Sequence, residues 1–212
     1  MSSTAVGIMD RLRDGTKALH DAAEGHAFQR TLFAGQLPQA SYADYLGQMF
    51  CLYAALERAL TEAQTARPEI ADVVKEHNLR EKDLRKDLAH FGVDVDAVEP
   101  LPATHALIER IGATARENPI ALLGMHYVLE GSNNGNHFIA KNIRKAYDLD
   151  GVGARFLDPY GEAQRPRWAE YKQALGAVAL TEAEADAVLA AAQDMFRAIG
   201  RISEELDAVR RR

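Results

Sequence analysis

Cysteine is almost absent from this chain: Cys51 stands alone among 212 residues. One thiol excludes an internal disulfide framework and a thiolate metal cluster, and makes a reducing cytoplasm the expected location. No run of 18 or more apolar residues occurs, so no membrane span is expected. The opening Met1-Ser-Ser-Thr-Ala-Val-Gly7 lacks the basic start and apolar core of a secretory signal. Positive charge is not in excess either. A formal net charge of −6 argues against a nucleic-acid partner. Nucleophile elbows of the Gly-x-Ser-x-Gly type and phosphate-cradling glycine loops are missing. So are the His-x-x-x-His and Glu-x-x-His spacings of helical metal sites, which leaves a zinc or di-iron centre without support.

What is present is ordinary globular material, 47% hydrophobic and 26% charged, with no internal repeat or low-complexity linker. Residues 1–212 are read as one domain with a core over about 9–206, long enough to bury a sizeable interior. Helical spacing dominates. The pattern predicts helices over about Met9–Gly25 and Phe28–Phe33, then a long one from near Ser41. That one carries Tyr42, Tyr45, Leu46, Met49, Phe50, Tyr53, Leu56 and Leu60. Further helices are expected over about Lys75–Phe91 and Thr104–Glu117, and from Asn118-Pro119 onward with Pro in the first turn. Two more follow at Pro166–Leu175 and Thr181–Leu206. The last opens on the capping-box pattern Thr181-Glu-Ala-Glu184. No strand is expected; the fold class is all-α, one compact multi-helix unit.

One stretch breaks the rule that its neighbours obey. Tyr127 to Tyr147 reads as a helix at both ends, yet Gly131-Ser-Asn-Asn-Gly-Asn136 in its middle is a run of mediocre to poor helix formers. Each interior glycine costs about 0.5–1 kcal/mol relative to alanine. Gly131 and Gly135 lie about 40° apart on one helical face. Asn134 and Phe138 flank that strip, whereas Asn133 and His137 point away. Three readings fit: close helix packing through small residues, a helix–loop–helix break at Asn-Asn-Gly, or a flat ligand lying on exposed backbone.

Seven histidines are present, and a lone helical histidine is most often structural. His20 stands out. Glu24 lies four residues on, on the same face, and Arg13 two turns back, about 10 Å along the axis. A neutral imidazole with a cation at that offset suits a ligand that has a metal centre and an anionic edge. A solvated Arg13 is the plainer reading.

The segment Leu12-Arg-Asp-Gly-Thr-Lys-Ala-Leu-His20-Asp-Ala-Ala-Glu24 resembles the proximal helix of heme oxygenases. Tyr53-Ala-Ala-Leu-Glu57 and Asp83-Leu-Arg-Lys-Asp-Leu-Ala-His-Phe-Gly92 are similar to later segments of that family, and Gly131-x-x-x-Gly135 falls where its distal helix carries glycines. No one motif is specific, but the matching order runs from about residue 9 to 206. Tyr127-Val-Leu-Glu-Gly-Ser132 looks closer to the bacterial branch. The resemblance implies heme held between a proximal helix and a kinked distal helix, and heme opened to biliverdin, carbon monoxide and ferrous iron. Dioxygen and electrons from a ferredoxin- or NADPH-linked donor would be consumed. It assigns His20 as axial ligand through Nε2, and Glu24 as the group that orients it through the other nitrogen. Gly131 and Gly135 become the backbone cradle, with Phe138 beside it. Arg13, Arg165, Arg167 and Lys172 become candidates for the propionates.

This chain departs from the family pattern in two places. Ser132 stands where many members carry an aspartate that organises proton-delivering waters, and Asn136 replaces a second glycine. Asn134 projects toward the pocket as a candidate donor to bound dioxygen, while His137 projects away from it. Arg13, Lys17, Lys141, Arg144 and Lys145 are expected to form a basic rim for an acidic redox partner. The rival readings are a heme carrier of the same fold that has lost turnover, a di-iron oxidase and a thiaminase-like protein.

Overall fold

The computed structural model describes residues 7–211, so the opening stretch read for a signal sequence lies mostly outside the described residues. Among the described residues nine α-helices follow one another: α1 Ile8–Glu24, α2 Ala27–Phe33, α3 Gln39–Ala63, α4 Glu69–Val73, α5 Glu81–His90, α6 Pro102–Glu117, α7 Leu122–Tyr147, α8 Gln164–Ala177 and α9 Glu182–Arg210. Among the described residues no strand occurs and no helix is long and apolar enough to cross a membrane.

One continuous apolar core joins the helices. The central α3 buries Tyr42, Leu46, Leu52, Leu56 and Leu60 almost completely. Long α9 packs against both α1 and α7. Its N-terminus carries the anticipated capping box: Thr181 Oγ1 accepts from the Glu184 backbone N–H, and Glu184 accepts in return from that of Thr181.

The expected Lys75–Phe91 helix is instead two pieces, a single 3-10 turn at Glu76–Asn78 and then α5. The cause is a long-range contact. Glu57, buried on α3, receives the backbone N–H groups of Arg80 and Glu81 and so caps α5 from outside its own sequence. Arg80 has to stand outside the helix for this to happen. Burial pushes the Glu57 carboxyl up to about 7, against the pull of those N–H donors. Pro119 likewise sits in a short 3-10 turn, Pro119–Ala121, that leads into α7 instead of in its first α turn.

Gly124 shows how tightly α7 meets α9. A Cβ there would lie 1.9 Å from the carbonyl oxygen of Val188. The loop after α7 is held by Asp87 of α5, which accepts the backbone N–H of Gly153 and of Phe156, both at 2.8 Å. Gly153 needs its left-handed φ of +94° for that turn.

Candidate active site

Helix α7 runs unbroken through Gly131–Asn136, so the helix–loop–helix reading of this stretch is set aside. Its weak helix formers are tolerated because their side chains fold back onto the helix and bond to it. Ser132 Oγ donates to the Leu129 carbonyl at 2.7 Å, and Asn134 Nδ2 donates to the Gly131 carbonyl at 2.9 Å. Asn136 Nδ2 donates to Ser132 Oγ at 3.1 Å. Buried residues on both sides of the strip, Val128 and Leu129 before it and Ile139, Ala140 and Ile143 after it, fasten the helix to the core.

The helix-packing reading fails for the strip itself. A Cβ on Gly135 would meet nothing within 4 Å, and one on Gly131 would meet only the Trp168 ring, at 3.4 Å. Phe138, one turn beyond, is 57% exposed. Bare backbone and an exposed aromatic ring therefore face open space on the same side of α7. Sequence spacing anticipated which residues share this face.

The opposite face carries a buried polar cluster. Glu130 Oε1 accepts from Tyr160 at 2.8 Å, and Glu130 Oε2 accepts from Asn133 at 3.3 Å. Arg80 approaches Glu130 at 3.8 Å and lies over the Tyr160 ring. His137 turns away as projected; its Nδ1 lies 2.9 Å from Asp158, which also binds Arg144 at 2.8 Å.

Helix α1 brings His20 to a half-exposed position, with its ring edge-on to Phe196 of α9 at 6.1 Å between centroids. Nε2 lies 3.7 Å from Glu24, and Nδ1 lies 3.7 Å from Asp21. This reverses the expected pairing of Glu24 with Nδ1. Helical spacing places both carboxylates around the ring, Asp21 one residue on and Glu24 four. A half-turn of this exposed ring exchanges their partners.

Arg13 is exposed to solvent, its side chain 66% accessible, and it is paired along its own helix. It makes 2.8 Å ion pairs with Asp10 and with Asp14. Burial pushes the Tyr127 hydroxyl of α7 up, and the charge of Arg13 pulls it down. Lys17 pairs with Asp21 at 3.1 Å. Arg144, held by Asp158 and only 31% exposed at its side chain, does not belong to an open basic rim. Lys141 and Lys145 are exposed.

On α8, Arg167 pairs with Glu170 at 3.0 Å, whereas Arg165 is exposed and makes no ion pair among the described residues. Lys172 lies over the Trp168 ring at 5.8 Å. Trp168 is the wall residue that sequence reading missed. It stacks on Tyr171 and packs against Tyr127, with centroids 5.6 and 5.7 Å away. Its position between Arg167 and Lys172 drew attention to the cations alone. Gln164 was missed as well; its Nε2 donates to Asn134 Oδ1 at 3.1 Å and ties the start of α8 to the strip.

Among the described residues no three His, Cys, Asp or Glu side chains gather to hold a metal ion. A cavity of about 300 Å³ lies elsewhere, against the outer side of α8, lined by Val73, His77, Asn78, Tyr171 and Ala174.

The description "heme oxygenase" belongs to the family whose model matches residues 7–205, close to the 9–206 span of the resemblance. A heme oxygenase of Pyropia yezoensis is 26% identical over 207 residues, covering 95% of this chain and 86% of the relative. The structure of heme oxygenase from Leptospira interrogans superposes with a TM-score of 0.87 at 25% identity, covering 94% of this chain and all of that one. Heme oxygenase-1 from Synechocystis, solved in complex with heme, has a TM-score of 0.88 at 23% identity, with 97% and 94% covered.

Proposed function

The chain belongs to the heme oxygenase family, and we propose that it binds heme against the bare strip of α7, with His20 on α1 as the axial ligand to iron. The observation that carries this reading is the open face at Gly135, where a glycine that no protein contact requires is kept at a helical cost. When bound, heme supplies both the iron that activates dioxygen and the macrocycle that is opened, which yields biliverdin, carbon monoxide and ferrous iron with electrons from an external donor.

Every other task falls to side chains. His20 offers a neutral nitrogen, and Glu24 or Asp21, whichever faces the remaining ring nitrogen, fixes its orientation. Gly131 and Gly135 admit a flat ligand to backbone distance, and Phe138 covers part of its face. Ser132 gives its hydroxyl proton to a helix carbonyl, so it holds a water as an acceptor and is a poor proton source. Asn134 keeps one amide hydrogen beyond its bond to Gly131, and Gln164 fixes the direction in which that hydrogen points. Arg165 and Lys172 are the cations best placed for anionic substituents, with Arg13 available once it leaves its carboxylates. An acidic redox donor docks beside Lys141 and Lys145, in a reducing cytoplasm. A carrier without turnover is not favoured, since the matched relatives are named as oxygenases.

Adding one equivalent of hemin, then reductant and air, tests this reading. The expected result is a sharp Soret band that decays into broad bilin absorption. In His20→Ala the band should broaden and the selective product disappear. A His20→Ala protein with the wild-type heme spectrum would remove the ligand assignment. For docking, turnover with an acidic donor should fall steeply with added salt, and a flat dependence would exclude the lysine rim.

A further inference from the structure

Behind the strip lies a chain of groups that the reaction does not use. Trp168, the only tryptophan of the protein, presents its six-membered ring to Gly131. Tyr171 lies nearly parallel to it, with an interplanar angle of 12° and centroids 5.6 Å apart. The Tyr171 hydroxyl is 3.0 Å from His126 Nδ1. Both residues are buried, at 2% and 4% exposure, and Tyr171 also borders the cavity beside α8. In the neutral tautomer protonated at Nε2, Nδ1 is the acceptor for the phenolic proton.

We propose that Trp168, Tyr171 and His126 form a redox relay that draws oxidising equivalents from the strip into the core, away from the bound macrocycle. This rests on the heme reading above, which supplies the occasion: peroxide reacting at the heme site produces a one-electron oxidant next to Trp168.

The steps balance. Trp168 gives one electron to that oxidant and recovers one from Tyr171. Tyr171 loses the electron together with its phenolic proton, which passes to His126 Nδ1. A small external reductant, such as a thiol or ascorbate, returns the electron, and His126 returns the proton. Two features give the relay its direction. The Lys172 ammonium over the indole disfavours a lasting positive charge on Trp168. Tyr171, by contrast, has a base within hydrogen-bond reach, so its oxidation leaves no cation on the ring. Tyr127 is the competing electron donor, 5.7 Å from Trp168 but tilted by 38°.

Pulse radiolysis of the heme-free protein with azide radical tests the relay directly, because the one tryptophan fixes where oxidation begins. The indolyl signal should decay by a first-order process into a phenoxyl signal, more slowly in D2O. Tyr171→Phe, which keeps the ring and the fold, should abolish the phenoxyl growth, and Tyr127→Phe should leave it intact. Growth that survives Tyr171→Phe, or is lost in Tyr127→Phe, overturns the proposal. A wild-type transfer with no solvent isotope effect also overturns it, without reliance on any variant. A hemin titration of the same proteins keeps the two readings apart, since failure of the relay leaves heme binding untouched.

Discussion

Two glycines of the same helix, 11 residues apart, meet opposite surroundings. Gly124 is pressed against the Val188 carbonyl oxygen, at a distance no side chain can share, whereas Gly135 has nothing in front of it. Both look alike in the sequence, and both weaken the helix by about 0.5–1 kcal/mol relative to alanine. The first serves the fold, because it lets α7 and α9 approach backbone to backbone. The second serves no contact within the protein, and its reason lies in something that arrives. The useful question about a helical glycine is therefore what occupies the volume of its missing Cβ.

The contrast breaks most sharply at Gly124. Gly124→Ala forces α7 and α9 apart and should cost about 3 kcal/mol or more of stability, as overpacked cores do. A denaturant midpoint equal to that of the parent would show that the helices separate freely. Gly135→Ala should do the reverse: a gain of about 0.5–1 kcal/mol in the heme-free protein from helix propensity, coupled to weaker hemin binding and lost turnover. If Gly135→Ala binds hemin as tightly as the parent, the strip is not the cradle. Gly131→Ala should fall between them, since Trp168 has to yield by a little.

A smaller effect concerns pH. Burial holds the Glu57 carboxyl at about 7 when folded, above its ordinary 4.5. The folded state then binds more protons than the unfolded state between those values. Its contribution to stability is fully present below about 4.5 and is lost as pH rises toward 7. Glu57→Gln should flatten that decline, measured as the melting temperature across the same range. An unchanged slope would mean that the carboxylate is stabilised as an anion where it sits. His126, pushed down to about 3 by burial, has the opposite sense, with stability rising as pH climbs from 3 to its ordinary 6.5. The comparison between variant and parent isolates Glu57 from it.

The helices were legible in the sequence wherever apolar spacing persisted, and the capping box at Thr181 marked the start of α9 to the residue. The α4–α5 region was not, because its break depends on Glu57, 23 residues from Arg80 in sequence, reaching a backbone N–H. Spacing along a chain carries no trace of such a cap. The strip was legible because its residues contradict their own helix. For Arg13 the plainer reading of a solvated charge agrees with the structure, where the exposed side chain pairs with Asp10 three residues back and with the adjacent Asp14. Trp168 was hidden for another reason, since its neighbours on α7 lie 37 and 41 residues away, beyond a loop whose path depends on Asp87.

Consecutive residues of α9 set the two walls of the site. Leu189 fills the space over Gly15 of α1, and Val188 lends its carbonyl to Gly124 of α7. The side chain of one and the backbone of the other hold α1 and α7 against the same turn of α9. The placement of α1 and α7 is then set in part by one turn of a third helix. Enlarging or trimming Leu189 would tilt α1, and His20 with it, without altering a single residue of the site.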